Sequence, residues 1–184
     1  MSVIFLVLSI VTVIVLLLLL VALILPKHYS VTVSEIINMP KKSVYDYVSL
    51  LSNQTQYSEW LNADPNLRPT VVGTDGTVGA LLKWESLNED RNKNVGMGEQ
   101  EIKRMDESNI EVELRLIKPM PATCKLINNF VEKGINKTYY TCTFYAYAKF
   151  PINLPSYLFG RNFIIKAQQK TLSNIKTIVE QTAQ

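Results

Sequence analysis

Residues 3 to 25 carry no charge, and the only polar side chains among them are Ser9 and Thr12. About 23 residues of helix reach roughly 34 Å, enough for the roughly 30 Å of bilayer hydrocarbon. A helix buried in a soluble core seldom stays apolar on every side for so long. Ser9 and Thr12 can bond back to carbonyls of their own helix, so neither opposes insertion. Pro26 ends the hydrogen-bond ladder, and Lys27 follows at headgroup level. The pattern predicts a transmembrane anchor over residues 1–26.

Beyond the anchor the period changes. Tyr29, Val31 and Val33 alternate with Ser30, Thr32 and Ser34, which predicts a strand over 29–37. Asn38-Met39-Pro40 breaks it, and Val44, Tyr47, Val48 and Leu51 then recur at helical spacing. The polar run 52–56 should end that helix. Residues 57–61 read as one further turn, with Trp60 as its apolar anchor. A short strand over 69–73, a tight turn at Thr74-Asp75-Gly76 and an alternating strand over 79–85 follow. Four more strands are predicted over 95–104, 109–117, 124–132 and 137–149. The clearest points Ile110, Val112, Leu114 and Leu116 inward and Glu111, Glu113 and Arg115 to water. From 155 to 182 a helix carries Ile164, Gln168, Leu172, Ile175, Ile178 and Val179 on one stripe, with Gly160 marking a kink or opening turn. The order is strand, helices, six strands, long helix. It predicts one α+β domain over 29–182, a mostly antiparallel sheet covered by its last helix. A long curved sheet wrapped on a helix leaves a space between them, where such architectures bind ligands.

Composition adds exclusions. The anchor inflates the 47% hydrophobic fraction, and a net charge of +3 without a basic stripe gives no case for nucleic-acid binding. Two cysteines, Cys124 and Cys142, are too few for a disulfide framework and read as small buried hydrophobes. They lie on separate predicted strands, so a single bridge stays geometrically open. A cleaved signal peptide fits poorly: no Lys or Arg precedes the apolar run, and no small-x-small site precedes Pro26. Lys27, Lys41 and Lys42 lie on the carboxyl side of the anchor, which predicts a single-pass protein with its domain in the cytoplasm.

Several pieces, taken in order, carry a resemblance. They are Ile37-Asn38-Met39-Pro40 with Val44-Tyr45-Asp46-Tyr47-Val48, and Tyr57-Ser58-Glu59-Trp60. Asp64-Pro65-Asn66-Leu67, Gly76-Thr77-Val78-Gly79-Ala80 and Trp84-Glu85 come next. Val95-Gly96-Met97-Gly98 and Lys170-Thr171-Leu172-Ser173-Asn174-Ile175-Lys176 complete the set. Across residues 31 to 180 the chain resembles the helix-grip, START-like superfamily, in its polyketide cyclase/dehydrase and lipid transport (SRPBCC) branch. The match is loose over 122–159, the region that lines the cavity in that family. The resemblance implies a helix-grip fold with an internal cavity, and an uncleaved anchor also occurs in this branch. It implies no particular reaction, since the superfamily holds carriers, receptors and cyclases.

The sequence offers little catalytic chemistry. Its one histidine, His28, abuts the anchor. There is no Gly-x-Ser-x-Gly, no Cys-x-x-Cys and no His/Cys cluster, so no catalytic residue, metal site or cofactor is expected. Gly96-x-Gly98 lacks a third glycine and is read as a bulge or a seat for an aromatic ring. Glu99 and Glu101, like Glu111 and Glu113, share a strand face and read as solvated. Asn128 lies between Leu126 and Phe130 on one face, where a buried amide needs a partner, either a ligand oxygen or a neighbour such as the Tyr140 hydroxyl. Trp60, Leu82, Trp84, Leu114, Tyr140 and Phe144 join Asn128 as candidate cavity residues. The leading expectation is membrane-tethered binding of a hydrophobic small molecule or lipid. The alternatives are a cyclase or dehydratase using Asn128, Tyr140 and Glu99, and a stress or interaction module whose cavity is filled.

Overall fold

The computed structural model describes residues 3–182; the first two residues of the predicted anchor lie outside the described residues. Helix α1 (Val3–Ile24) leaves almost its whole apolar surface bare, and only Ala22 near its end is buried. It is long and apolar enough to cross a membrane. Ser9 and Thr12 donate to the Phe5 and Leu8 carbonyls at 2.8 and 2.9 Å, as a helix in an apolar medium requires.

After a three-residue link comes β1 (His28–Ile37), in which alternate residues Val31, Val33 and Ile37 are buried. Helix α2 (Lys41–Ser49) buries Val44 and Val48. Helix α2 ends at extended Leu50, just before the polar run, and that run is itself wound into a 3-10 turn (Leu51–Asn53) and α3 (Gln54–Tyr57). The reason is Asp75, whose carboxylate accepts from the Leu51 and Ser52 amides at 2.7 and 3.1 Å and holds the turn in place. Helix α4 (Glu59–Asn62) is capped by Ser58, which accepts from the Leu61 amide. Its buried anchor is Leu61 rather than Trp60, which is 37% exposed.

Six strands follow: β2 (Thr70–Val72), β3 (Leu81–Glu85), β4 (Met97–Met105), β5 (Asn109–Lys118), β6 (Ala122–Glu132) and β7 (Thr138–Tyr147). With β1 they form one seven-stranded sheet in the order β1-β7-β6-β5-β4-β3-β2, and every pairing is antiparallel. The β4–β5 register slips at Met97/Gly98 and again at Ile102/Arg104. Such irregularities bend and twist a sheet. Gly98 is needed at the first slip: a Cβ there would lie 2.5 Å from the Trp84 ring and 2.8 Å from the Arg115 carbonyl oxygen. The glycine pair is thus a bulge and a seat for an aromatic ring.

Residues 153–160 form a short helical turn, α5 (Asn153–Pro155), and a π-turn (Ser156–Gly160). Helix α6 (Arg161–Gln181) then runs back across the sheet and packs against β1, burying Leu172, Ile175 and Val179. Each such side chain contributes roughly 1.5–3 kcal/mol when fully buried. Polar bonds fix the helix at both faces. Thr171 Oγ1 accepts from the Glu59 amide at 3.1 Å, Asn174 donates to the Tyr57 carbonyl at 3.1 Å, and Lys176 pairs with Glu35 at 3.0 Å. Both cysteines are free, on neighbouring strands β6 and β7.

Candidate ligand cavity

Between α6 and the middle strands of the sheet lies a cavity of about 380 Å³. The sheet contributes Ile110, Val112, Leu114, Leu116, Leu126 and Phe144, alternate residues on the concave face. Helix α6 contributes Phe163, Ile164, Ala167, Gln168 and Thr171, and the α3–α4 turn adds Gln54, Tyr57 and Trp60. Among the described residues, no Asp, Glu, Lys, Arg or His lines the wall.

Five of the seven candidate residues come together here. Trp60, Leu114, Asn128, Tyr140 and Phe144 all border the cavity. Leu82 and Trp84 do not. Both are buried in the solid core, with Trp84 packed on Gly98, because β3 lies far along the sheet from the β1 edge that α6 covers. Trp60 stands at the rim, edge-on to Phe163 with centroids 5.8 Å apart. Glu99 is excluded from the wall by strand parity. Its neighbour Gln100 faces the cavity, while Glu99 turns to the outer face and accepts from Arg115 Nε at 2.6 Å. Arg115 also bonds Glu101 at 2.9 Å and contacts Glu113, so these carboxylates form a half-exposed ion cluster outside the cavity.

Asn128 has its partner within the protein. The Tyr140 hydroxyl donates to Asn128 Oδ1 at 2.8 Å, and Asn128 Nδ2 reaches the Ile110 carbonyl at 3.4 Å. Tyr140 stacks on Phe130 with centroids 4.7 Å apart, which fixes its ring. The pair closes on itself and presents no free acid or base.

Sequence reasoning missed the amides. Gln54 donates to Gln100 Oε1 at 2.9 Å, and the Cys142 thiol donates to Gln168 Oε1 at 3.6 Å. Gln168 carried a signal, a polar residue inside the apolar stripe of its helix. Gln100 carried another, the parity of Ile102. Gln54 carried none, since it sat in a polar run expected only to end a helix. Burial pushes the Cys142 thiol up to about 12, and it raises Cys124, Tyr57 and Tyr140 above their ordinary values. These four wall groups therefore stay neutral at physiological pH. The site is an apolar chamber with a few uncharged hydrogen-bonding groups.

A curved antiparallel sheet gripping a C-terminal helix over an internal cavity defines the helix-grip fold, of START or Bet v 1 type. No protein-family model matches the sequence, and no curated protein matches it. Solved structures do. Norcoclaurine synthase from Thalictrum flavum, in complex with dopamine and hydroxybenzaldehyde, has a TM-score of 0.61 at 11% identity, over 84% of this chain and 87% of that one. Ara h 8.0201 has a TM-score of 0.58 at 11% identity, over 84% and 99%. TTHA0849 from Thermus thermophilus has a TM-score of 0.58 at 14% identity, over 85% and 100%. At these identities the likeness is one of fold.

Proposed function

We propose that this chain is a membrane-tethered binding protein for an uncharged hydrophobic small molecule or lipid. Residues 1–26 serve as the anchor and residues 29–182 as the binding domain. The observation that carries the reading is the chamber of about 380 Å³ with no charged side chain in its wall. Small-molecule sites typically measure roughly 300–1,000 Å³ and are mostly apolar with a few placed polar groups. Burying apolar ligand surface there contributes roughly 25 cal/mol per Å², so about 200 Å² gives about 5 kcal/mol without any catalytic residue. An ionised carboxylate or phosphate would lose its hydration with no cation to meet it, at a cost of several kcal/mol. The ligand is therefore neutral in the part that enters. Gln54, Gln100 and Gln168 are the groups available to a hydroxyl, carbonyl or ester on it.

The tether supports the same reading. An apolar ligand is concentrated in the bilayer, and an anchored domain samples that reservoir at high effective concentration. Lys27, Lys41 and Lys42 beside the anchor favour a cytoplasmic domain. The test is native mass spectrometry of the full chain in nanodiscs, titrated with a long-chain alcohol and with the fatty acid of the same length. Tight binding of the alcohol, with the ionised acid at least tenfold weaker, is expected. Equal binding of both, or of neither across a range of chain lengths, would overturn the proposal.

A further inference from the structure

The apolar helix and the cavity rim meet at one end of the molecule, and the segment between them is unusually bare. Residues Phe150, Ile152, Leu158, Phe159 and Phe163 are all exposed, Phe159 to 73%. Leu158 and Phe159 lie in the π-turn that precedes α6. Between residues 133 and 179 there is no Asp or Glu, while Lys149, Arg161 and Lys166 flank the bare aromatics. Exposed apolar side chains mixed with cations suit the interfacial layer of an anionic bilayer.

The patch is also held rigidly to the helix. Asn153 is buried, and its Nδ2 donates to the Ala22 and Leu25 carbonyls at 2.7 and 3.1 Å. Those are carbonyls that a helix end leaves without intrahelical donors. The Ala148 amide donates to the Lys27 carbonyl at 2.9 Å, and the Tyr29 hydroxyl meets Ser156 Oγ at 3.1 Å. Only residues 25–27 separate α1 from β1, a reach of about 10 Å. Helix α1 itself, at 22 residues, is about 33 Å long and uses the full hydrocarbon thickness. The domain has no slack with which to stand away from the lipid. Ser156, Gly160 and Phe163 belong to both the patch and the cavity wall, and Trp60 and Met120 are further exposed members of that wall.

We infer that segment 149–163 lies in the headgroup layer of the bilayer, so that the cavity mouth opens onto lipid and ligand passes between bilayer and chamber without crossing water. This rests on the anchoring proposed above. The test is spin-label depth measurement on the full chain in vesicles of phosphatidylcholine with phosphatidylserine. Nitroxides are placed by Val13→Cys, Phe159→Cys and Ile135→Cys, and the two native cysteines are buried. Ile135 is 95% exposed and lies beyond the opposite end of β7, so it serves as the aqueous reference. The label at 159 should be relaxed by oxygen and at least threefold less by an aqueous nickel chelate than the label at 135. A label at 13 in hydrocarbon with the label at 159 as exposed to nickel as that at 135 overturns the docking alone. A label at 13 in water overturns the anchor and the docking together. As a second arm, Leu158→Ser with Phe159→Ser alters side chains that do not line the cavity. It should slow ligand loading from vesicles several-fold while leaving the bound stoichiometry unchanged; unchanged loading overturns the portal.

Discussion

Removing the Tyr140 hydroxyl tests the closed polar pair in the cavity wall. Tyr140 is 2% exposed and Asn128 8% exposed, and their hydrogen bond is 2.8 Å long. In Tyr140→Phe the ring keeps its stack on Phe130, but Asn128 Oδ1 loses its donor. An unpaired buried acceptor costs about 1–3 kcal/mol. For a chain of this size each kcal/mol lowers Tm by roughly 2–4 °C, so a fall of roughly 2–12 °C is expected. Asn128→Leu alone should cost a similar amount, since it strands the hydroxyl. The double variant replaces both partners with apolar groups of similar shape, which is close to neutral. It should therefore be more stable than the sum of the singles predicts by about 1–2 kcal/mol. Denaturant unfolding of the four proteins in one detergent, followed by near-ultraviolet circular dichroism, measures this coupling. Strict additivity would refute the pairing. The same variants separate binding from catalysis: with the pair satisfied internally, Tyr140→Phe should leave affinity for a neutral apolar ligand within about threefold.

Three further outcomes follow from local geometry. Gly98→Ala drives a methyl group into the Trp84 ring and the Arg115 carbonyl, and should cost about 1–3 kcal/mol by thermal unfolding. Cys142, its thiol pushed up to about 12, and Cys124, also raised by burial, should react with iodoacetamide at pH 8 at least a hundredfold more slowly than after unfolding. Burial alone would raise the Asp75 carboxyl, but hydrogen bonds from Ser52, Leu51 and Gly76 outweigh it and hold Asp75 below the ordinary carboxylate range. Its contribution is then complete above the unfolded value of about 3.9 and is lost as pH falls through the lower folded value. Asp75→Asn should lower Tm at pH 7, and the gap from wild type should narrow as pH drops below about 4.

The fold was legible because its elements are periodic. Alternation in Val31, Val33 and Ile37, and in Ile110 and Val112, marks strands buried on one face, and the Leu172, Ile175, Val179 stripe marks the covering helix. The cavity was legible only in part, because burial and lining are different properties. Leu82 and Trp84 carry the same alternation as Leu114, yet they sit on distal strand β3, where the core is filled. Phe144 and Asn128 lie on β7 and β6, on the face that borders the cavity. Which strands cover which part of α6 is a matter of sheet order, and no local pattern encodes that order. Gln54 was hidden for a related reason. A polar residue at a helix end reads as solvated until the Asp75 loop, more than twenty positions away in the chain, folds the turn back over the cavity.

Occupancy of the chamber by a neutral apolar ligand is the central claim. Its most direct test is to purify the full chain from native membranes, strip bound detergent and weigh it by native mass spectrometry, with Ala167→Trp as the filled-cavity reference. Ala167 lines the chamber, and an indole there takes much of its volume. Wild-type protein should carry one equivalent of an uncharged hydrophobic molecule, absent from the variant. Wild-type protein that is empty and takes up nothing, or that retains the same molecule as the variant, would contradict the claim.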